Sequence, residues 1–189
     1  MRRHPAHGKL RAAALALGVF ALGAAALRYA DGPPPAHTGG FGEPTCRACH
    51  FDAPLNDAGG RLTLEGVPKG YAPGQTYRLR IIVAHPGLAA GGFQLSARFP
   101  DGAQAGAFDV DTTRIRTHRV EATGVVYVSH TRAGTRPAAP DTARWSLRWR
   151  APERTDSVRF HLTANAANGD DSEFGDFIFT HAAATAPKR

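Results

Sequence analysis

The feature that most constrains this chain is a series of short runs in which apolar residues take every second position. Tyr77, Leu79, Ile81 and Val83 alternate with outward positions, and Phe93, Leu95, Ala97 and Phe99 repeat the pattern. Trp145, Leu147 and Trp149 alternate with Ser146 and the arginines 144, 148 and 150; Val158, Phe160, Leu162 and Ala164 alternate with Arg159, His161 and Thr163. Leu62 and Leu64, the stretch 125–130, and Phe177-Ile178-Phe179 complete the series. Neighbouring side chains of a strand point to opposite faces, so a period of two marks sheets with one buried side. Turn signals such as Tyr71-Ala-Pro-Gly74 and Pro100-Asp101-Gly102 separate the runs. Seven or eight short strands, with no useful helical period after the N-terminal leader, predict an all-β fold, an antiparallel β-sandwich.

A length of 189 residues suits one domain with appendages, and 21 Gly with 14 Pro exclude a coiled coil or helical bundle. The expected division is a signal peptide or N-terminal membrane anchor over 1–30 and a linker with a cysteine-bearing segment over 31–60. The sandwich follows over 61–182, and a C-terminal tail over 183–189.

The formal charge of +7 is unevenly placed. Arg2, Arg3, Lys9, Arg11 and Arg28 precede residue 31 without one acid, and beyond them 18 Lys+Arg face 16 Asp+Glu. No basic run remains in the body, which excludes nucleic acid as a partner. Residues 12–27 are an uninterrupted apolar run of 16 residues behind that basic region, the layout of a secretory signal. As a helix, with a rise of about 1.5 Å per residue, the run falls short of a hydrocarbon core of about 30 Å. Cleavage after Ala24-Ala25-Ala26 and a retained inner-membrane anchor are the two alternatives. No Cys stands at the end of the run, which argues against a lipoprotein. Either way the body is expected outside the cytoplasm, in the periplasm or beyond.

Chemistry concentrates in Cys46-Arg47-Ala48-Cys49-His50, a C-x-x-C-H sequence holding the chain's only two cysteines. This is the attachment signature of a c-type haem. Two thiols at i and i+3 reach the two vinyl groups of one porphyrin, and the next residue places its imidazole on the iron. One covalent haem c is expected, held by Cys46 and Cys49, with His50 as proximal iron ligand. A thioredoxin-like couple would need a strand before it and a long helix after it, and neither flanks Cys46. A zinc site would need a second Cys or His pair. A Cys46–Cys49 disulfide or thiol redox couple comes next, and a zinc site last, as alternatives to haem. The only Met is Met1, in the leader, so Met/His ligation is excluded. His37, His85, His118, His130, His161 and His181 are candidates for the distal side. His130, at a strand end, is preferred and His85 comes next. The Asn/Asp-rich stretch 165–176 is read as a turn in which side chains bond local backbone, with calcium as its alternative.

Several blocks occur in a characteristic order: Thr38-Gly-Gly-Phe-Gly-Glu43 leading into Cys46–His50, Gly70-Tyr-Ala-Pro-Gly-Gln-Thr-Tyr77, Gly92-Phe-Gln-Leu-Ser-Ala97 and Ala105-Gly106. Tyr127-Val-Ser-His-Thr131, Trp145-x-x-x-Trp149-x-Ala-Pro152, Asn165-Ala-Ala-Asn-Gly-Asp170 and Gly175-Asp176 follow. In these the chain resembles a bacterial family of exported proteins related to reelin-domain (reeler) sandwiches, over about residues 38–180. The resemblance implies an immunoglobulin-like β-sandwich with a covalent haem at its N-terminal edge. His130 lies in a matching block, which adds to its standing as distal ligand.

The expected function is that of an exported mono-haem, c-type cytochrome-like protein, transferring electrons to redox partner proteins of the cell envelope. Membrane association through the N-terminal apolar segment is a further expectation. Strong electrostatic steering is not expected, since haem propionates offset the small body charge. The alternative is a non-catalytic extracytoplasmic binding module whose C-x-x-C is structural, with Arg144, Arg148, Arg150 and Arg159 as a basic patch for anionic polymers. No enzyme is expected, because the acid–base pair that peroxide chemistry wants at an open iron is not apparent.

Overall fold

The computed structural model describes residues 29–188. The leader, and with it the choice between signal and anchor, lies outside the described residues. The protein is an all-β sandwich of two sheets. One has four strands in the order β1 (Arg61–Glu65), β3 (Thr76–Ala84), β8 (Thr142–Arg150) and β5 (Ala107–Val110). The other has six, in the order β2 (Gly70–Tyr71), β10 (Phe177–Pro187), β9 (Val158–Ala167), β4 (Ala90–Arg98), β7 (Val126–His130) and β6 (Ile115–Arg119). Every pairing is antiparallel except the short one between β10 and β2.

The alternating positions meet in the core. Leu79 lies opposite Leu147 and Ile81 opposite Trp145 in one sheet, while Leu95 lies opposite Leu162 and Ala97 opposite Phe160 in the other. All are buried, and Trp149 packs edge-on against Phe160 with ring centroids 4.9 Å apart. The polar atoms of the large aromatics find backbone partners, as burial requires. Trp145 Nε1 donates to the Gly134 carbonyl at 2.9 Å and Trp149 Nε1 to the Ala105 carbonyl at 3.0 Å. The Tyr71 hydroxyl lies 2.8 and 2.7 Å from the Arg154 and Asp156 carbonyls, which ties β2 to the loop before β9.

Two boundaries differ from the sequence expectation. The tail expected from residue 183 is strand: β10 runs to Pro187, pairing Ala183 with Phe160 and Thr185 with Val158 before its end meets Gly70 and Tyr71. Ala-Ala-Ala-Thr-Ala has no strand signature of its own and is extended because two neighbours offer it hydrogen bonds. The second difference positions the site. Residues 31–60, expected as a linker with an irregular segment, lie along the outer face of the six-stranded sheet.

That strap covers the polar side of the alternation. Gln94 acts as a surrogate backbone amide, accepting from His37 N at 2.6 Å and donating to the Pro34 carbonyl at 2.7 Å. Glu43 pairs with Arg98 and receives the Tyr127 hydroxyl at 2.5 Å and the Thr38 hydroxyl at 2.5 Å. Close approach also needs Gly40, where a Cβ would stand 2.2 Å from the His161 ring. Gln94, Ser96, Arg98, Ser129 and Thr163 are therefore buried although they face away from the core.

Candidate functional site

The strap delivers the C-x-x-C-H sequence to the end of the sheet where β9 passes into β10. Thr45 opens a 3-10 turn over Cys46–Ala48, its hydroxyl accepting from Arg47 N at 3.1 Å. The Cys46 carbonyl then accepts from both Cys49 N (3.2 Å) and His50 N (3.0 Å), which folds the five residues into one compact bend. Both thiols are free; Cys46 is half-buried and Cys49 exposed. Burial pushes the Cys46 thiol up to about 12, and the neighbouring Cys49 adds to the rise.

His50 is held from behind. Its Nδ1 lies 2.8 Å from Asp176 Oδ2, and the Asp176 side chain is almost wholly buried while that of His50 is a quarter exposed. A carboxylate oxygen only accepts, so Nδ1 carries the proton and in the neutral ring Nε2 keeps the lone pair. Asp176 is itself fixed by Asn165 Nδ2 at 2.9 Å on Oδ2 and by Asn168 N at 3.1 Å on Oδ1. Asp52 Oδ2 accepts from Gly175 N at 2.7 Å, and Phe51 meets Phe174 edge-on at 5.8 Å. Phe51 and Phe174, each about half exposed, form an apolar surface beside His50.

The remainder of the 165–176 stretch bonds local backbone as a turn: Asp170 N donates to Asn168 Oδ1 at 3.0 Å and Ser172 N to Asp170 Oδ1 at 2.9 Å. Asn165 and Asp176 bracket this turn and serve His50, a role the sequence reading did not give them. Nothing in the local pattern marks it, since both look like ordinary turn residues.

The two rings expected on the distal side have other partners. His130 is buried and its Nδ1 accepts from Phe93 N at 3.0 Å. It lies against Gly92, where a Cβ would stand 2.8 Å from its Cε1. Desolvation holds the ring below the ordinary histidine range, although bonds to the Phe93 and Tyr29 backbone work against it. His85 stacks on Phe177 at 3.7 Å, with Nδ1 2.7 Å from the Pro86 carbonyl and Nε2 3.4 Å from Asp57 Oδ1. The structure thus keeps Cys46, Cys49 and His50 on one backbone bend and gives His130 and His85 bonds within the scaffold.

The donor set fits a haem. Porphyrin supplies four nitrogens to its iron, so the chain needs to offer thiols for the vinyl groups and an imidazole nitrogen, not a cage. Among the described residues no group of three or more His, Cys, Asp or Glu side chains is gathered as a metal cage. Free thiols on one turn, an adjacent histidine with its outer nitrogen available, and exposed aromatic surface are what such a group requires.

No family model matches the sequence, and no curated protein matches it. Among solved structures the chain is similar to the Reelin-N domain of F-spondin, at 18% identity and a TM-score of 0.48, covering 76% of this chain and 96% of that one. It is also similar to the human F-spondin reeler domain, at 20% identity and a TM-score of 0.44 over 72% of this chain and 95% of that one. A cohesin module from a Clostridium perfringens family 33 glycoside hydrolase is a third, at 10% identity and a TM-score of 0.48, covering 68% and 96%. These likenesses concern the sandwich scaffold and leave Cys46, Cys49 and His50 to be argued on their own geometry.

Proposed function

We propose that the protein is an exported β-sandwich module carrying one haem c, attached through Cys46 and Cys49 and ligated by His50, that exchanges electrons with redox proteins of the cell envelope. The observation that carries this reading is the bend 46–50 itself: two unpaired thiols and an imidazole on five consecutive residues, followed by the exposed Phe51, which meets Phe174. When bound, the haem supplies a one-electron couple. The chain's own part would be to supply the two sulfurs from one turn, to orient His50 through Asp176 and to offer the apolar surface of Phe51 and Phe174. The N-terminal basic and apolar segment supports export, where covalent attachment of this kind takes place.

The test is a pyridine haemochrome spectrum and an intact mass, on protein exported by a host with haem-attachment machinery. Haem that survives acid-acetone extraction, with the mass of one porphyrin added to the polypeptide, is expected. Colourless protein of polypeptide mass overturns the reading. Cys46→Ser/Cys49→Ser, which removes both thiols, should then abolish covalent retention.

A second reading, a binding module with a structural C-x-x-C, is favoured by the outer face of the four-stranded sheet. There Arg78 lies opposite Arg148, and Arg61, Arg80, Arg144 and Arg150 extend the same face. Arg159, grouped with these in the sequence reading, lies on the other sheet, paired with Arg98 and Ala184, and is no part of the patch. Salt-sensitive retention of the haem-free protein on an anionic matrix, lost in Arg144→Glu/Arg148→Glu, would support this second reading.

A further inference from the structure

Asp176 is a buried carboxylate that pairs with one residue of the proposed site, His50. Its side chain is 1% exposed, and among the described residues His50 is the basic side chain paired with it. Burying a carboxylate costs several kcal/mol unless hydrogen bonds and charge compensate, and an apolar residue would close this end of a sandwich more cheaply. The compensation comes from three donors on three segments: His50 Nδ1, Asn165 Nδ2 and Asn168 N, at 2.8, 2.9 and 3.1 Å. Asn165 is itself buried on β9, and Asp176 immediately precedes β10, so the carboxylate is anchored on the rigid sheet while His50 rides on the strap.

Resting on the haem reading above, we infer that Asp176 is a positioning residue that would make His50 a strongly donating ligand to the haem iron and would thereby set a low reduction potential, with Asn165 as its brace. The physical basis is the second-shell effect of a carboxylate on an imidazole N–H. It fixes the ring's orientation and tautomer and raises the basicity of the opposite nitrogen, which favours the more highly charged, oxidised metal. In Asp176→Asn the remaining carbonyl can keep the hydrogen bond from His50 and loses the charge, while the new NH2 group faces the Asn168 N–H and gives up that bond.

The experiment compares haem-loaded wild type with Asp176→Asn, Asp176→Glu and Asn165→Ala by spectroelectrochemical titration and thermal melting. Asp176→Asn should retain haem and shift the potential upward, Asp176→Glu should restore much of the wild-type value, and Asn165→Ala should shift it in the same direction by less. Equal potentials in loaded wild type and Asp176→Asn overturn the inference while leaving the haem reading intact. Wild type that takes up no haem overturns the haem reading itself. Should Asp176→Asn fail to fold, Asp176→Ser, which removes the charge behind His50, carries the test, and an unshifted potential there overturns the inference.

Discussion

The outer faces of the two sheets arise from the same alternation and end in opposite surroundings. On the six-stranded sheet the strap covers the outward residues Gln94, Ser96, Arg98, His161 and Thr163. On the four-stranded sheet they are Arg78, Arg80, Arg144, Arg148 and Arg150, open to solvent. The same ion-pair chemistry therefore has different consequences. Arg98 and Glu43 pair with side chains 8% and 10% exposed, whereas Arg148 and Asp109 meet at 3.3 Å with both side chains more than two-thirds exposed. A buried charge deprived of its partner is left in a medium that cannot solvate it, whereas an exposed one is rehydrated. The covered face is thus where polar residues govern stability, and it is also the face that presents His50.

The largest effect that tests this contrast comes from Arg98→Ala. Removing the guanidinium leaves Glu43 buried and unpaired, and breakage of this kind costs about 3–5 kcal/mol. Urea unfolding should show that loss, and limited proteolysis should find new cleavage within residues 29–60 as the strap lifts. A loss of under about 1 kcal/mol, the range of a surface pair, would remove the distinction between the faces.

An intermediate effect is expected from pH. Desolvation lowers His130 and His161 below their ordinary value of 6.5, with Arg98 also opposing charge on His161. Between that value and the depressed one the unfolded chain binds more protons, so stability is lost as pH falls through this window. Glu43 continues the loss at lower pH. Burial opposes its ionisation, but hydrogen bonds from Thr38, Tyr127 and Arg98, with the Arg98 charge, outweigh this and hold it below its usual 4.5. Urea midpoints measured from neutrality to about pH 4 should decline throughout, and Glu43→Gln should flatten the lower part.

The smallest effect belongs to the open face, where Arg148→Ala should change stability by no more than about 0.5 kcal/mol. It also relieves the cross-strand juxtaposition with Arg78, since like charges directly opposite one another repel. A loss comparable with that of Arg98→Ala would show that this face, too, is structurally engaged.

The central strands were legible because each carries its own alternation; β3, β4, β8 and β9 extend the expected runs by only a few residues. Among the edge strands β1 was legible from Leu62 and Leu64, whereas β2, β5 and β6 were not. β6, Ile115–Arg119, buries only Ile115, and β2 has two residues, so neither shows a period. They are strands because a neighbour supplies hydrogen bonds. In the candidate site, Cys46, Cys49 and His50 stood out as a local motif. Asp176 and Asn165 did not, because their partner lies on a distant segment and their residue types suit any turn.

The sequence by itself determined which side of each strand is apolar and where the reactive trio sits, since both are written in short-range spacing. What only the tertiary structure decided is which polar face is covered and which carboxylate stands behind His50. Period two says that a side chain points away from the core, but not what lies over it. That depends on a Pro/Gly-rich strap finding Gln94, Arg98 and His161 across the sheet, contacts that no local pattern encodes.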